Sequence, residues 1–330
     1  MKNKCIPLRN DRKTITLSIA LFYIVCFVAS LYFGYLRLKL NLQYEHASLI
    51  DLISNRASTP FQYRVLIPWL ISCINEALLL TGHTYPPFQI AYYIEVFATF
   101  FLILMFRRFL LFLINNERLS MLLTFCLFYV LTFNYLLPRS NRFWYPSDIP
   151  SILFFTLGLL FLYRGQWLHY YIVFIAGCLN RETICFLTLV FLFVSIGKTP
   201  LRFIVYHCVI QFSIWVIIKI FLNRLYMHNP GAGLFESHIV HNIRHILNPS
   251  NYAALLSAFG FLWIPGILYY KRISSYFLRR SLLVAIPFFL CMFYVGNIYE
   301  LRIYGELVPL IAAAFALILK DTVEMKDSTV

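Results

Sequence analysis

Four stretches of this 330-residue chain set arginine beside carboxylates and aromatic rings. YEHASLIDLISNRASTPFQYRVLIPWL carries Glu45, Asp51 and Arg64, and PRSNRFWYPSDIPSILFF carries Arg139, Arg142 and Asp148. CLNRETICF carries Arg181 and Glu182, and GNIYELRIYGELVPLI carries Glu300, Arg302 and Glu306. The forked guanidinium matches phosphate with parallel hydrogen bonds, while a carboxylate can deprotonate a hydroxyl or hold a divalent ion. These types point to chemistry on a phosphate-bearing substrate.

Each stretch also has a plainer reading. Arg64 sits among aromatic and apolar residues, where an interfacial arginine snorkels, and Glu45 and Asp51 suit a solvated amphipathic turn. Ser147 or Asp148 can cap a helix before Pro150, with Trp144 and Tyr145 in an aromatic belt. Arg181 and Glu182 interrupt two apolar helices with hardly any loop, and ionisable groups at membrane depth face a cavity or a partner. Glu306 lies deeper in its apolar run and needs a partner. The functional reading takes Glu45 and Asp51 as catalytic acids. It takes Arg64, Arg142, Asp148, Arg181, Glu182, Glu300 and Arg302 as substrate-binding residues.

A fifth stretch, 224–250, holds His228, His238, His241 and His245 with Glu236 and Arg244. Spacings of three and four put His238, His241 and His245 on one helical face. No HExxH or cysteine pattern accompanies them, so a solvated amphipathic helix is preferred to a zinc site. The eight cysteines lie mostly in apolar runs without ligand spacing and read as small core residues.

The elements that must position these residues are apolar helices. The chain is 61% hydrophobic, 18% aromatic and 13% charged, against about a quarter charged in soluble domains. A spanning helix needs about 20 apolar residues. Apolar runs predict an all-α transmembrane bundle of ten spans near 14–36, 87–106, 119–137, 148–163, 167–180, 183–197, 203–223, 251–270, 281–297 and 303–319. The first run follows Lys2, Lys4, Arg9, Arg12 and Lys13 and exceeds a signal-peptide core, which reads as an uncleaved anchor.

The formal net charge of +14 comes from basic residues in the gaps between spans, not on one polar face, so it marks topology and not nucleic acid. With the amino terminus inside, Arg107, Arg108, Arg118, Arg164, Lys198, Arg202, Lys271, Arg272, Arg279, Arg280 and Lys320 fall on the cytoplasmic side. This requires 61–80, with Arg64, Pro68, Asn75 and Glu76, to be interfacial or re-entrant. The chain is then one integral membrane domain, 1–330. It has cytoplasmic tails at 1–13 and 320–330, a large first external loop at 37–86 and a second large one at 224–250. The absence of a permitted Asn-x-Ser/Thr sequon fits a bacterial inner membrane.

On these features the chain resembles the GT-C superfamily of membrane glycosyltransferases, which use lipid-phosphate-linked sugars. Residues 37–86 look like that superfamily's first external loop, and Glu45 or Asp51 would take its acidic role. FQYRVLIP, YPSD, NRET and ELRIYGELVP resemble segments of bacterial membrane proteins grouped near these transferases. The Asp-Asp, Asp-Glu or Glu-Asp pair of many members is missing from the first loop, and no large soluble carboxy-terminal domain is expected. The resemblance implies sugar transfer from a polyprenyl-phosphate donor to an acceptor at the outer face, within membrane lipid. A divalent cation, magnesium or manganese, is a candidate cofactor. The competing expectations are a transporter or lipid flippase with an outward-facing charged cavity, and a non-enzymatic assembly subunit.

Overall fold

The computed structural model describes residues 11–137, 143–231 and 236–327. The described residues are mostly helical, and their only strand-like pairings are two isolated bridges, Leu42 with Phe143 and Thr59 with Gly231. Among the described residues, six helices are long and apolar enough to cross a membrane: Leu17–Leu40, Pro87–Ile114, Glu117–Tyr135, Leu201–Leu225, Tyr276–Val295 and Leu301–Thr322. With the composition, they make this an all-α membrane protein.

Helix α1 is Asp11–Leu40. A segment with two short helices, α2 (Leu49–Ile53) and α3 (Leu66–Leu80), leads to α4 (Pro87–Ile114). α5 (Glu117–Tyr135) follows after a turn in which Asn115 takes a left-handed conformation and the Asn116 side chain accepts from Leu119 N. So short a link makes α4 and α5 antiparallel neighbours. α6 (Asp148–Arg164) and α7 (Trp167–Asn180) form the next such pair, turning at left-handed Gly165. α8 (Phe186–Ser195) and α9 (Leu201–Leu225) then lead into the second polar loop and α10 (Ile239–Leu247).

The stretch 251–270 is not the continuous helix its hydropathy predicts. It divides into α11 (Tyr252–Leu256), a kinked 3-10 turn and α12 (Trp263–Leu268). Phe259, Gly260 and Phe261 all have positive φ. The Asn134 side chain accepts from Phe259 N and donates to Leu301 O, and the Tyr129 phenol donates to Gly260 O, so α5 holds the kink in place. α13 (Tyr276–Ser281) continues through a 3-10 turn into α14 (Ala285–Val295). A 3-10 segment, Leu301–Leu307, then opens α15 (Val308–Asp327).

α15 is the core helix. Ala312, Ala313, Ala314 and Ala316 are fully buried, and small side chains let neighbouring helices approach closely. α1 and α9 lie at the periphery and expose Leu17, Leu21, Ile24 and Val28, and Val205, Phe212, Ile217 and Ile220. Such faces suit hydrocarbon and not water.

The helix ends sort into two groups. Arg107 of α4 pairs with Glu117 of α5, Tyr163 of α6 donates to Phe112 O of α4, and Lys198 lies over the Tyr276 ring 3.5 Å from its centroid. At the other end, α1 finishes, α6 begins, α7 finishes and the segment before α15 begins. That end holds the polar side chains described next.

Candidate functional site

Asp148 is the centre of the polar end. It opens α6, with Ser147 at the N-cap, and is fully buried. Its carboxylate takes no capping role but meets three guanidinium groups from three different elements. Arg37 Nη2 of α1 lies 3.1 Å away, Arg181 Nη1 3.5 Å and Arg302 Nη1 3.6 Å. Arg37 also meets Glu95 of α4 at 3.0 Å, and the Trp144 indole donates to Glu95. Arg181 reaches Glu306 at 3.6 Å, Thr183 donates to Glu306, and Arg302 pairs with Glu300.

Local structure explains how Arg181 reaches this centre. α7 stops at Asn180 because Arg181 is extended, with φ −162° and ψ 137°. The Asn180 amide donates to Ser147 O at 3.0 Å and Ser151 Oγ at 2.8 Å, fastening the end of α7 to the start of α6. The 3-10 turn Glu182–Cys185 follows at once, and the two neighbours take different partners, Arg181 with Asp148 and Glu306 and Glu182 with Arg64.

Above the network lies a cavity of about 310 Å³. Arg181, Glu182, Glu300 and Arg302 line it with Arg64 from the first loop and Lys219 from α9. Its apolar walls include Phe61, Phe186, Trp215, Met292 and Val295. Arg64 pairs with Glu182 at 3.5 Å, and Lys219 lies over the Tyr63 ring at 4.5 Å. The Tyr145 ring takes Arg302 on its face at 4.2 Å and Arg64 at 5.7 Å. Burial pushes the Tyr145 phenol up, so the ring stays neutral beside these cations.

Several guanidinium donors are unsatisfied. Arg64 Nε and Nη1, Arg181 Nε and Arg302 Nε are buried without a hydrogen-bond partner among the described residues, whereas Arg181 Nη1 faces Asp148 and Glu306 at longer range. A buried donor without an acceptor costs about 1–3 kcal/mol, more when charged, and a bound oxyanion would supply the acceptors.

Five of the nine expected site residues therefore line one cavity: Arg64, Arg181, Glu182, Glu300 and Arg302. Asp148 lies beneath them and not in the lining. Arg142 lies outside the described residues. Neither first-loop acid lines the cavity: Glu45 is exposed, and Asp51 is half-buried and accepts from Ser48 beside it. Sequence reasoning missed Arg37, Glu95 and Lys219, although a lone charge inside an apolar run was the available signal.

A magnesium or manganese ion needs several oxygen ligands. Glu182 and Glu300 are each tied to an arginine, and no group of three His, Cys, Asp or Glu that could hold a metal occurs among the described residues. With four cations on the same cavity, this donor set does not fit a divalent ion.

Comparisons with family models, with curated proteins and with solved structures find no match to this chain.

Proposed function

We propose that this protein is a membrane glycosyltransferase that moves a sugar from a lipid-phosphate donor to an acceptor at the external membrane face. The meeting of Arg64, Arg181, Lys219 and Arg302 on one cavity with apolar walls carries this reading. A lipid phosphate needs both surfaces, cations for its head and apolar walls for the first units of its tail. When the bond from sugar to phosphate breaks, negative charge grows on the phosphate, and fixed cations in a water-poor site stabilise it. Polyprenyl phosphate is then the leaving group.

The same proposal gives the chain ten passes, with both termini cytoplasmic in a bacterial inner membrane. Support comes from the sorting of helix ends, with Arg107, Arg164 and Lys198 at one end and the cavity at the other. Segment 37–86 is the first external loop. α3 does not cross in this reading, and its Ile67 and Ile71 pack with Ile90 and Ala91 from the beginning of α4, at the cavity end.

Proteoliposomes containing the protein and polyprenyl-phosphate-linked sugars, with methyl glucoside added as hydroxyl acceptor, test the proposal. Covalent transfer with release of polyprenyl phosphate, abolished by Arg181→Ala at normal expression, is the expected result. Counterflow of the lipid or sugar without any covalent product would overturn it in favour of a transporter or flippase.

A further inference from the structure

The carboxylates around the cavity floor are held by guanidinium groups: Glu182 by Arg64, Glu300 by Arg302, and Asp148 and Glu306 by Arg181. Their oxygens already face these guanidinium groups and are turned from an incoming hydroxyl. The rim carries a different pair. His238 and Glu236 both line the cavity, with His238 Nε2 3.8 Å from Glu236 Oε2. The Glu236 side chain is 58% exposed and that of His238 23%, so an acceptor entering from outside meets them first.

The position of His238 is fixed by its backbone. His238 N donates to Tyr294 O at 2.8 Å, and His238 is the residue before α10. One turn on, the Asn242 side chain donates to Phe293 O at 2.8 Å and Gly296 O at 2.7 Å, and accepts from Ile298 N at 3.2 Å. α10 is thereby fastened to the end of α14, whose Met292 and Val295 form part of the cavity wall. The imidazole is a side chain on a braced strut, not on a free loop.

We infer that His238 is the catalytic base for the acceptor hydroxyl and that Glu236 is its positioning residue, an assignment that rests on the transferase reading. Glu236 Oε2 lies 3.8 Å from Nε2, so a small closure on acceptor binding would let Nε2–H donate to it and leave Nδ1 to accept. As the acceptor O–H bond breaks, its proton passes to Nδ1, and the hydroxyl oxygen bonds to the anomeric carbon. The bond from that carbon to the phosphate oxygen breaks, and its electron pair stays on the phosphate. The imidazolium then returns its proton to the departing phosphate, so atoms and charge balance. This role falls to the second external loop and not to Glu45 or Asp51, which lie outside the cavity lining.

The test uses the full chain in nanodiscs with undecaprenyl-phosphate-linked glucose, mannose and arabinose as donors and methyl glucoside as the hydroxyl acceptor, reading release of undecaprenyl phosphate together with the glycosylated acceptor. H238Q should lower turnover by about 100-fold or more while undecaprenyl phosphate still binds as in the wild type, which separates lost chemistry from lost folding. E236Q should give a smaller loss, confined to kcat with KM for the donor unchanged, as expected of a residue that orients the base and does not hold the donor. H238Q turning over at the wild-type rate overturns the proposal, as does D51N stopping turnover when H238Q does not. In either case the transferase reading stands. No release by the wild type from any of the three donors overturns both.

Discussion

Arg37, near the end of the first helix, donates to Asp148 at the start of α6 across 111 residues of sequence, with both side chains fully buried. Through Asp148 it is linked to Arg181 and Arg302, two of the cations that line the cavity. Buried charges are costly unless paired, so the four groups hold one another in place, and the cavity inherits that geometry.

Asp148→Asn should therefore act on both stability and binding. It leaves three guanidinium groups converging without their shared counter-charge, a loss on the order of 3–5 kcal/mol for a broken buried pair. The expected result is a clear fall in Tm and weaker binding of undecaprenyl phosphate. A thermal shift measurement in detergent with a lipid-phosphate binding assay checks both, and an unchanged Tm would contradict the network.

Arg64→Ala and Arg181→Ala should each weaken undecaprenyl phosphate binding roughly 10–100-fold, the worth of one charged hydrogen bond. Arg56→Ala is the matched control, because Arg56 is exposed on the same first loop and does not line the cavity. Equal losses from Arg56→Ala and Arg64→Ala would mean that binding reports general surface charge. The ordering of affinities by filter binding or native mass spectrometry decides it.

Hydropathy was a sound guide where a helix is long and regular. The run near 203–223 became α9, long enough to cross a membrane, whereas that near 167–180 became a helix with the same bounds, α7, whose 14 residues are fewer than a span needs. It could not see the break at Phe259 to Phe261, because two of those residues are phenylalanines and their positive φ is imposed by contacts from α5. The NRET turn was legible as a site because Arg181 and Glu182 have no loop in which to be solvated. Arg37, Glu95 and Lys219 stood out only as charges in or at the end of apolar runs, and their partners come from other helices that the sequence does not bring together. His238 was weighed for metal spacing along α10, whereas its neighbours in space are Glu236 and the cavity.

Gly231 is a position where only glycine fits. Its φ is +124°, and a Cβ there would lie 2.2 Å from Thr59 O. The close approach lets Thr59 N donate to Pro230 O at 2.7 Å and the Asn229 amide donate to Asn55 O and Ala57 O. These bonds join the first and second polar loops beside Pro60 and Phe61 of the cavity wall. Gly231→Ala should cost roughly 1–3 kcal/mol through backbone strain and separate the loops. Faster hydrogen exchange at Thr59 with unchanged protection in α15 is the expected pattern.

Cys291 offers a readout that does not depend on the identity of the sugar. It is a free, partly exposed thiol on α14 and lines the cavity with Trp215 and Met292. A lipid phosphate whose head is held by Arg64, Arg181 and Lys219 must lay the start of its tail along these apolar walls. Undecaprenyl phosphate should therefore slow alkylation of Cys291 by a small maleimide at least several-fold. Cys73, exposed on α3 and outside the lining, should react at an unchanged rate. Site-resolved mass spectrometry separates the two thiols. Equal protection of both would indicate a detergent effect, whereas protection of Cys291 that disappears in Arg181→Ala would tie the tail's position to the cation that binds the head.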